Sequence, residues 1–239
     1  MEARLIKKFL LFACLFLAFS LRGEVYWLRD LGQSLKMSQS KLSDIERILD
    51  KTVFMRDPLI INGYKTEMEI ASSSYRFGDL LREFNRIDAR LLTILDGRNL
   101  IFTIELNDKY VQKYLISNIG NAFNATIFSM KLPKILPKPK WKGNWETILA
   151  SGGAELERVI EYPERNATYI TLKNVGNPEL ELDYIRQNLK SRGFKSFSNN
   201  GNELRSKSEL FFKESNGEMI ALSFDDVGNG FFYHRGEKK

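Results

Sequence analysis

Catalysis and metal binding need particular side chains at particular spacings, and this chain owns few of the usual ones. Its 239 residues include one His, His234, and one Cys, Cys14. Structural zinc sites need several Cys or His ligands, and Cys-His or Ser-His-Asp nucleophile systems need partners that one His and one Cys barely supply. His234 follows the aromatic run Phe231-Phe232-Tyr233 and reads as a structural residue on an edge strand. Asp225-Asp226, ahead of Gly228-Asn229-Gly230, loosely resembles an oxygen-rich cation loop. Calcium asks for about six to eight oxygens in fixed order, so a β-turn with acidic residues is the expected structure there. Gly152-Gly153 lacks the Lys-Ser/Thr of a phosphate loop and the glycine pattern of a dinucleotide site, and reads as a turn. Glu155, Glu157 and Glu161 recur along an expected strand, where alternate residues share the solvent face instead of flanking a cleft as a glycosidase pair must. Two glycosylation sequons, Asn124-Ala125-Thr126 and Asn166-Ala167-Thr168, are short enough to arise by chance. No catalytic, cofactor-binding or metal-binding residue is assigned, no cofactor is expected, and the protein is read as a non-enzyme.

The most informative surface candidate is a basic segment near the middle of the chain. Residues 131–145 read KLPKILPKPKWKGNW, with five lysines, three prolines and two of the three tryptophans. The prolines remove backbone donors and favour extended polyproline II structure, which makes a semi-rigid spacer. Lysines can neutralise anions while indoles stack on bases or sugars or sit at a lipid interface. Lys138, Lys140, Trp141, Lys142 and Trp145 form the candidate interaction surface. The plainer reading of the same residues is a solvated linker whose Trp141 and Trp145 dock onto the domain that follows.

The N-terminus carries a different signal. Arg4, Lys7 and Lys8 precede an uncharged run of 13 residues, Phe9–Leu21, within the roughly 7–15 of a signal-peptide core and short of the ~20 that span a bilayer. Ala18-Phe19-Ser20 and Gly23 offer cleavage positions, so residues 1–23 are read as a signal peptide, leaving no stable membrane anchor. Cys14 lies inside the apolar run and is not flanked as a lipoprotein cysteine would be. Cleavage removes that Cys and, with it, Arg4, Lys7, Lys8, Arg22 and Glu2, lowering the formal net charge from +6 to +3. A thiol-free mature chain fits a bacterial periplasm better than a disulfide-stapled extracellular setting, with secretion as the alternative.

Positioning any of these residues falls to alternating hairpin and helix patterns. With 43% apolar, 12% aromatic and 28% charged residues the chain is expected to fold. Residues 24–52 are read as an N-terminal helical segment, with Ser43-Asp44-Ile45-Glu46 as a capping box. Residues 53–132 form a first module. It begins with a hairpin at Asn62-Gly63, continues with a helix whose apolar residues are Phe77, Leu80, Leu81, Phe84 and Ile87, and adds a second hairpin at Asp96-Gly97. A helix is predicted over 108–119 and a strand over 126–132. After the 133–145 linker, residues 146–239 repeat the order: a hairpin about Pro163–Asn166, a helix opened by Asn177-Pro178 and closed by Gly193, and a hairpin at Asn216-Gly217. The fold class is therefore α+β, two small modules with helices on one face of a mainly antiparallel sheet.

Such a layout licenses no single function. The leading expectation is an exported binding or scaffold protein with protein partners in the cell envelope, an accessory part of a secretion or pilus assembly by analogy with tandem periplasmic modules. The alternatives are a binder of nucleic acid or anionic polymer through the Lys/Trp segment, which the low mature charge disfavours, and a carboxylate-dependent hydrolase. The sequence leaves the oligomeric state open.

Overall fold

The computed structural model describes residues 35–87, 94–95, 99–118, 124–141, 143, 145–149, 154–197, 208–225 and 228–236. The expected signal peptide, the Asp96-Gly97 turn, Gly152-Gly153, Lys142 and Asp226 lie outside the described residues. Among them the structure is α+β and mainly antiparallel sheet. Two compact units are distinguishable: one takes residues up to Phe54 together with Ile70–Ser129, the other Met55–Glu69 together with Met130–Lys239.

In the first unit, β1 (Leu35–Met37) pairs in parallel with β5 (Asn99–Glu105), which also pairs antiparallel with β4 (Ile94–Leu95) and β6 (Tyr110–Ser117). The order continues from β6 to β7 (Thr126–Pro133), β3 (Tyr64–Ser73) and β2 (Lys51–Ile61), of which residues 126–129, 70–73 and 51–54 belong to this unit. Helices α1 (Leu42–Leu49) and α2 (Phe77–Ile87) cover one side. Ile45 and Leu49 of α1 and Phe77, Leu80 and Phe84 of α2 meet Leu100, Phe102, Ile104, Tyr114 and Ile116 in a closed apolar cluster. Phe102 and Tyr114 stack with ring centroids 4.9 Å apart. The i, i+3, i+4 spacing read from the sequence thus produces the buried stripe of α2.

Two local expectations are corrected. The stretch 108–119 is a strand, not a helix: the Asn107 side chain accepts from the amides of Lys109 (2.8 Å) and Tyr110 (2.9 Å), an Asx turn that reverses the chain into the β5–β6 ladder. Four consecutive residues, Lys113–Ile116, are buried, so both strand faces are covered and the alternation that marks a half-exposed strand is erased. The capping box does not form, because a short 3₁₀ turn at Gln39–Lys41 starts the helix early and puts Ser43 inside it. Glu46 instead accepts the Tyr114 hydroxyl and pairs with Lys51 Nζ at 3.2 Å. Ser73 lies just before α2 and ties α1 to the turn that leads into it. Its hydroxyl donates to the Leu49 carbonyl at 2.7 Å and accepts from the Tyr75 amide at 3.0 Å.

In the second unit, Ile60 and Ile61, in the part of β2 that belongs to this unit, pair antiparallel with β8 (Glu155–Tyr162), and the order runs on through β9 (Ala167–Lys173), β13 (Gly230–Arg235), β12 (Glu218–Phe224), β11 (Ser208–Lys213) and β10 (Lys195–Ser196). At the tip of the β2–β3 hairpin Asn62 and Gly63 take positive φ, 52° and 85°, as the two-residue turn requires. Asn62 also ties the hairpin to its neighbours. Its backbone donates to the Val159 carbonyl, its Oδ1 accepts from the Val159 amide at 2.9 Å, and its Nδ2 donates to the Pro137 carbonyl at 3.0 Å. Two helices complete this unit, α3 (Trp145–Leu149) and α4 (Pro178–Ser191). The Asn177 side chain accepts from the amides of Glu179 and Leu180 as expected of a cap before an N1 proline. Leu182, Ile185 and Leu189 of α4 join Ile148, Val159, Ile170, Phe211, Ile220 and Phe232 in the second core.

Candidate functional site

The site is built where α4 ends beside the turn that joins β11 to β12. Gly193 adopts φ 84° and donates to the Lys190 carbonyl, while the Phe194 amide returns to the Leu189 carbonyl, both at 3.0 Å. This left-handed exit turns Phe194 into the core and leaves Arg192 on the outside. Arg192 donates to the Thr147 hydroxyl on α3 at 3.3 Å. Lys213, the last residue of β11, lies over the Phe194 ring with its ammonium 5.6 Å from the centroid. Glu218, the first residue of β12, occupies the register position facing Lys213 across the intervening turn.

The floor comes from α3 and β13. Trp145 opens α3 and packs its ring against Phe232 and His234, centroids 4.8 and 4.6 Å away. His234 pairs with Ile220 on one side and Thr168 on the other, so it belongs to an interior strand and not to an edge as its sequence context suggested. Burial pushes its imidazole below the usual 6.5, with the Glu218 carboxylate pulling the opposite way. Together Trp145, Ile148 and Phe194 with Arg192, Lys213, Glu218 and His234 line a cleft of about 400 Å³ that opens to solvent.

Several cations of this unit stand in ion pairs. Arg56 pairs with Glu67 and Glu69, Arg165 with Asp57, Lys173 with Glu155, Arg186 with Asp183 and Glu209, and Lys195 with Glu214. Among the described residues, Arg192 and Lys213 take part in no ion pair. Two cations therefore border an aromatic floor without a fixed counter-ion of their own. Compared with known proteins, the chain matches no family model, no curated protein and no solved structure.

The residues singled out in the sequence divide between this cleft and other places. Lys138 and Lys140 are exposed, whereas Trp141 and Trp145 are partly buried against the second core. Among the described residues of that set, only Trp145 lines the cleft. In the possible cation loop, Asp225 is engaged by Asn229: its Oδ1 accepts the Asn229 amide at 2.8 Å and its Oδ2 the Asn229 side-chain amide at 2.6 Å. Among the described residues no cluster of three His, Cys, Asp or Glu could hold a metal. The acids of β8 do not keep simple alternation, because a bulge between Leu156 and Arg158 puts Glu157 out of register. Glu155 pairs with Lys173 at 3.4 Å. Arg192, Phe194, Lys213 and Glu218 had no sequence signal as a group. They are brought together only by the end of a helix and the two ends of a tight turn.

Proposed function

We propose that this is an exported, non-enzymatic binding protein of the cell envelope, acting on a protein partner through the Trp145–His234 cleft of its second unit. The observation that carries the reading is the placement of two cations without ion-pair partners, Arg192 and Lys213, beside a partly buried indole in an open cleft. Charged groups without an ion-pair partner next to an aromatic anchor favour capture of a complementary surface. The N-terminal pattern of Arg4, Lys7, Lys8 and the Phe9–Leu21 run supports export to the periplasm, with secretion as the alternative. Among the described residues no helix is long and apolar enough to cross a membrane. A role as an accessory part of a secretion or pilus assembly is consistent with such a binder.

Cross-linking the full chain in intact cells tests the reading. Wild type should capture a defined envelope protein, and the double variant Arg192→Gln, Lys213→Met should lose it while keeping its circular dichroism and melting temperature. Equal capture by the folded double variant refutes the cleft as the binding site. A second reading, binding of an anionic polymer, draws on the exposure of Lys138 and Lys140. It requires salt-dependent retention on heparin that Lys138→Ala and Lys140→Ala abolish.

A further inference from the structure

We propose that the cleft receives the C-terminal residue of a peptide, its carboxylate between Arg192 and Lys213, its amide N–H toward Glu218 and its apolar side chain against Trp145. This rests on the binding reading above and names what the partner presents. Three features of the cleft select this occupant together.

The first is charge. Arg192 and Lys213 contribute two positive charges and Glu218 one negative, and burial disfavours the charged form of His234. One net positive charge matches a monoanion. A phosphate dianion would exceed it.

The second is the carboxylate of Glu218 itself. It has no ion-pair partner among the described residues and stands opposite Lys213 in the strand register. An acceptor beside an anion site suits a ligand that carries a donor next to its own carboxylate. A C-terminal residue does so, since its backbone N–H is separated from the carboxylate by one carbon.

The third is the apolar floor. Trp145 and Ile148 from α3 and Phe194 from the end of α4 line the same cleft. At about 400 Å³ the cleft lies within the roughly 300–1,000 Å³ of ligand pockets, enough for one large side chain and its terminal group but not for a folded surface element. An internal acidic side chain would bring two further backbone segments into the cleft. A free terminus brings one, and where backbone nests capture a terminal carboxylate with N–H groups, Arg192 and Lys213 would supply the donors here.

The test titrates the full chain calorimetrically with the acetylated peptide Ac-Gly-Ser-Gly-Ser-Phe bearing a free carboxylate, the same peptide as its C-terminal amide, 3-phenylpropanoate and inorganic phosphate. The free acid should bind at least about tenfold more tightly than the amide and than phenylpropanoate, which lacks the amide N–H, and phosphate should not displace it. Arg192→Gln and Lys213→Met should each weaken the free acid about tenfold, with Lys213→Arg restoring most of the loss and so excluding a folding defect. Glu218→Ala should weaken the peptide acid yet leave phenylpropanoate unchanged or tighter, a split that a merely structural role would not produce. Equal binding of acid and amide, equal binding of peptide and phenylpropanoate, or no binding of the free acid overturns the proposal. If partner capture still depends on Arg192 and Lys213 in that case, the cleft remains the binding site and only the C-terminal occupant is removed.

Discussion

Asn62 makes the clearest quantitative test of how this sequence holds its second unit together. Three separable contributions meet at one residue. Its φ of 52° is a conformation that Asn and Gly tolerate and that a β-carbon without a polar side chain resists by about 1 kcal/mol. Its Oδ1 satisfies the half-buried Val159 amide, whose loss of a partner costs about 1–2 kcal/mol. Its Nδ2 holds the Pro137 carbonyl at an exposed position, for about 0.5–1 kcal/mol. Asn62→Asp keeps the acceptor and loses only the donor, so it should cost about 1 kcal/mol. Asn62→Gly keeps the turn geometry and loses both side-chain bonds, for about 2 kcal/mol, and Asn62→Ala adds the backbone strain, for about 3 kcal/mol. Urea unfolding of the full chain gives the ranking, and hydrogen exchange at the Val159 amide reports the local bond. Protection there should survive in the Asp variant and fall in the other two. If Ala and Gly are equivalent, the strain argument fails. If Asp is as damaging as Ala, the Val159 bond is not what the side chain contributes.

Two other expectations concern charged groups in the same unit. Arg186 meets the buried Glu209 through Nε at 2.9 Å and a terminal nitrogen at 2.6 Å, and it also pairs with Asp183. Arg186→Ala should cost about 2 kcal/mol, between the values for exposed and buried pairs because Arg186 is itself 43% exposed. Glu209→Ala should cost less in the same urea titration, since Arg186 keeps Asp183 and water; the reverse order would contradict the asymmetry. For His234 the folded form sits below the ordinary 6.5, so the folded protein binds fewer protons than the unfolded chain in that window. The stability it contributes is present above about 6.5 and is lost as pH falls through the folded value. Melting temperature should therefore fall between about pH 7.5 and 5.5, and His234→Phe should flatten that slope. An unchanged slope in the variant would show that the imidazole is not its source.

What could be read directly from the chain were features encoded by neighbours in sequence. Asn62-Gly63 specifies a turn because two adjacent residues tolerate positive φ, and Asn177-Pro178 specifies a helix start because cap and fixed φ stand side by side. The stripe Phe77, Leu80, Phe84 specifies a buried helix face by period alone. The strand at Tyr110–Ser117 was not legible in this way. Its pattern is shaped by burial on both faces, and burial depends on what packs there. The capping box failed for a related reason: the same residues could cap a helix, but Glu46 found Lys51 and Tyr114, the second of them 68 positions away.

The cleft depends still more on distant parts of the chain. Trp145 was visible as an aromatic in a basic segment, and His234 as the lone imidazole, but nothing in their separation along the chain joins them. The β9–β13–β12 ladders place His234 in the sheet, the short helix α3 lays Trp145 against it, and the left-handed exit at Gly193 turns Arg192 outward. Each of those steps follows a local rule. Their convergence requires long-range strand pairing and packing, whose energies depend on contacts between residues far apart in sequence, and so it is set by the folded chain and not by any single stretch of it.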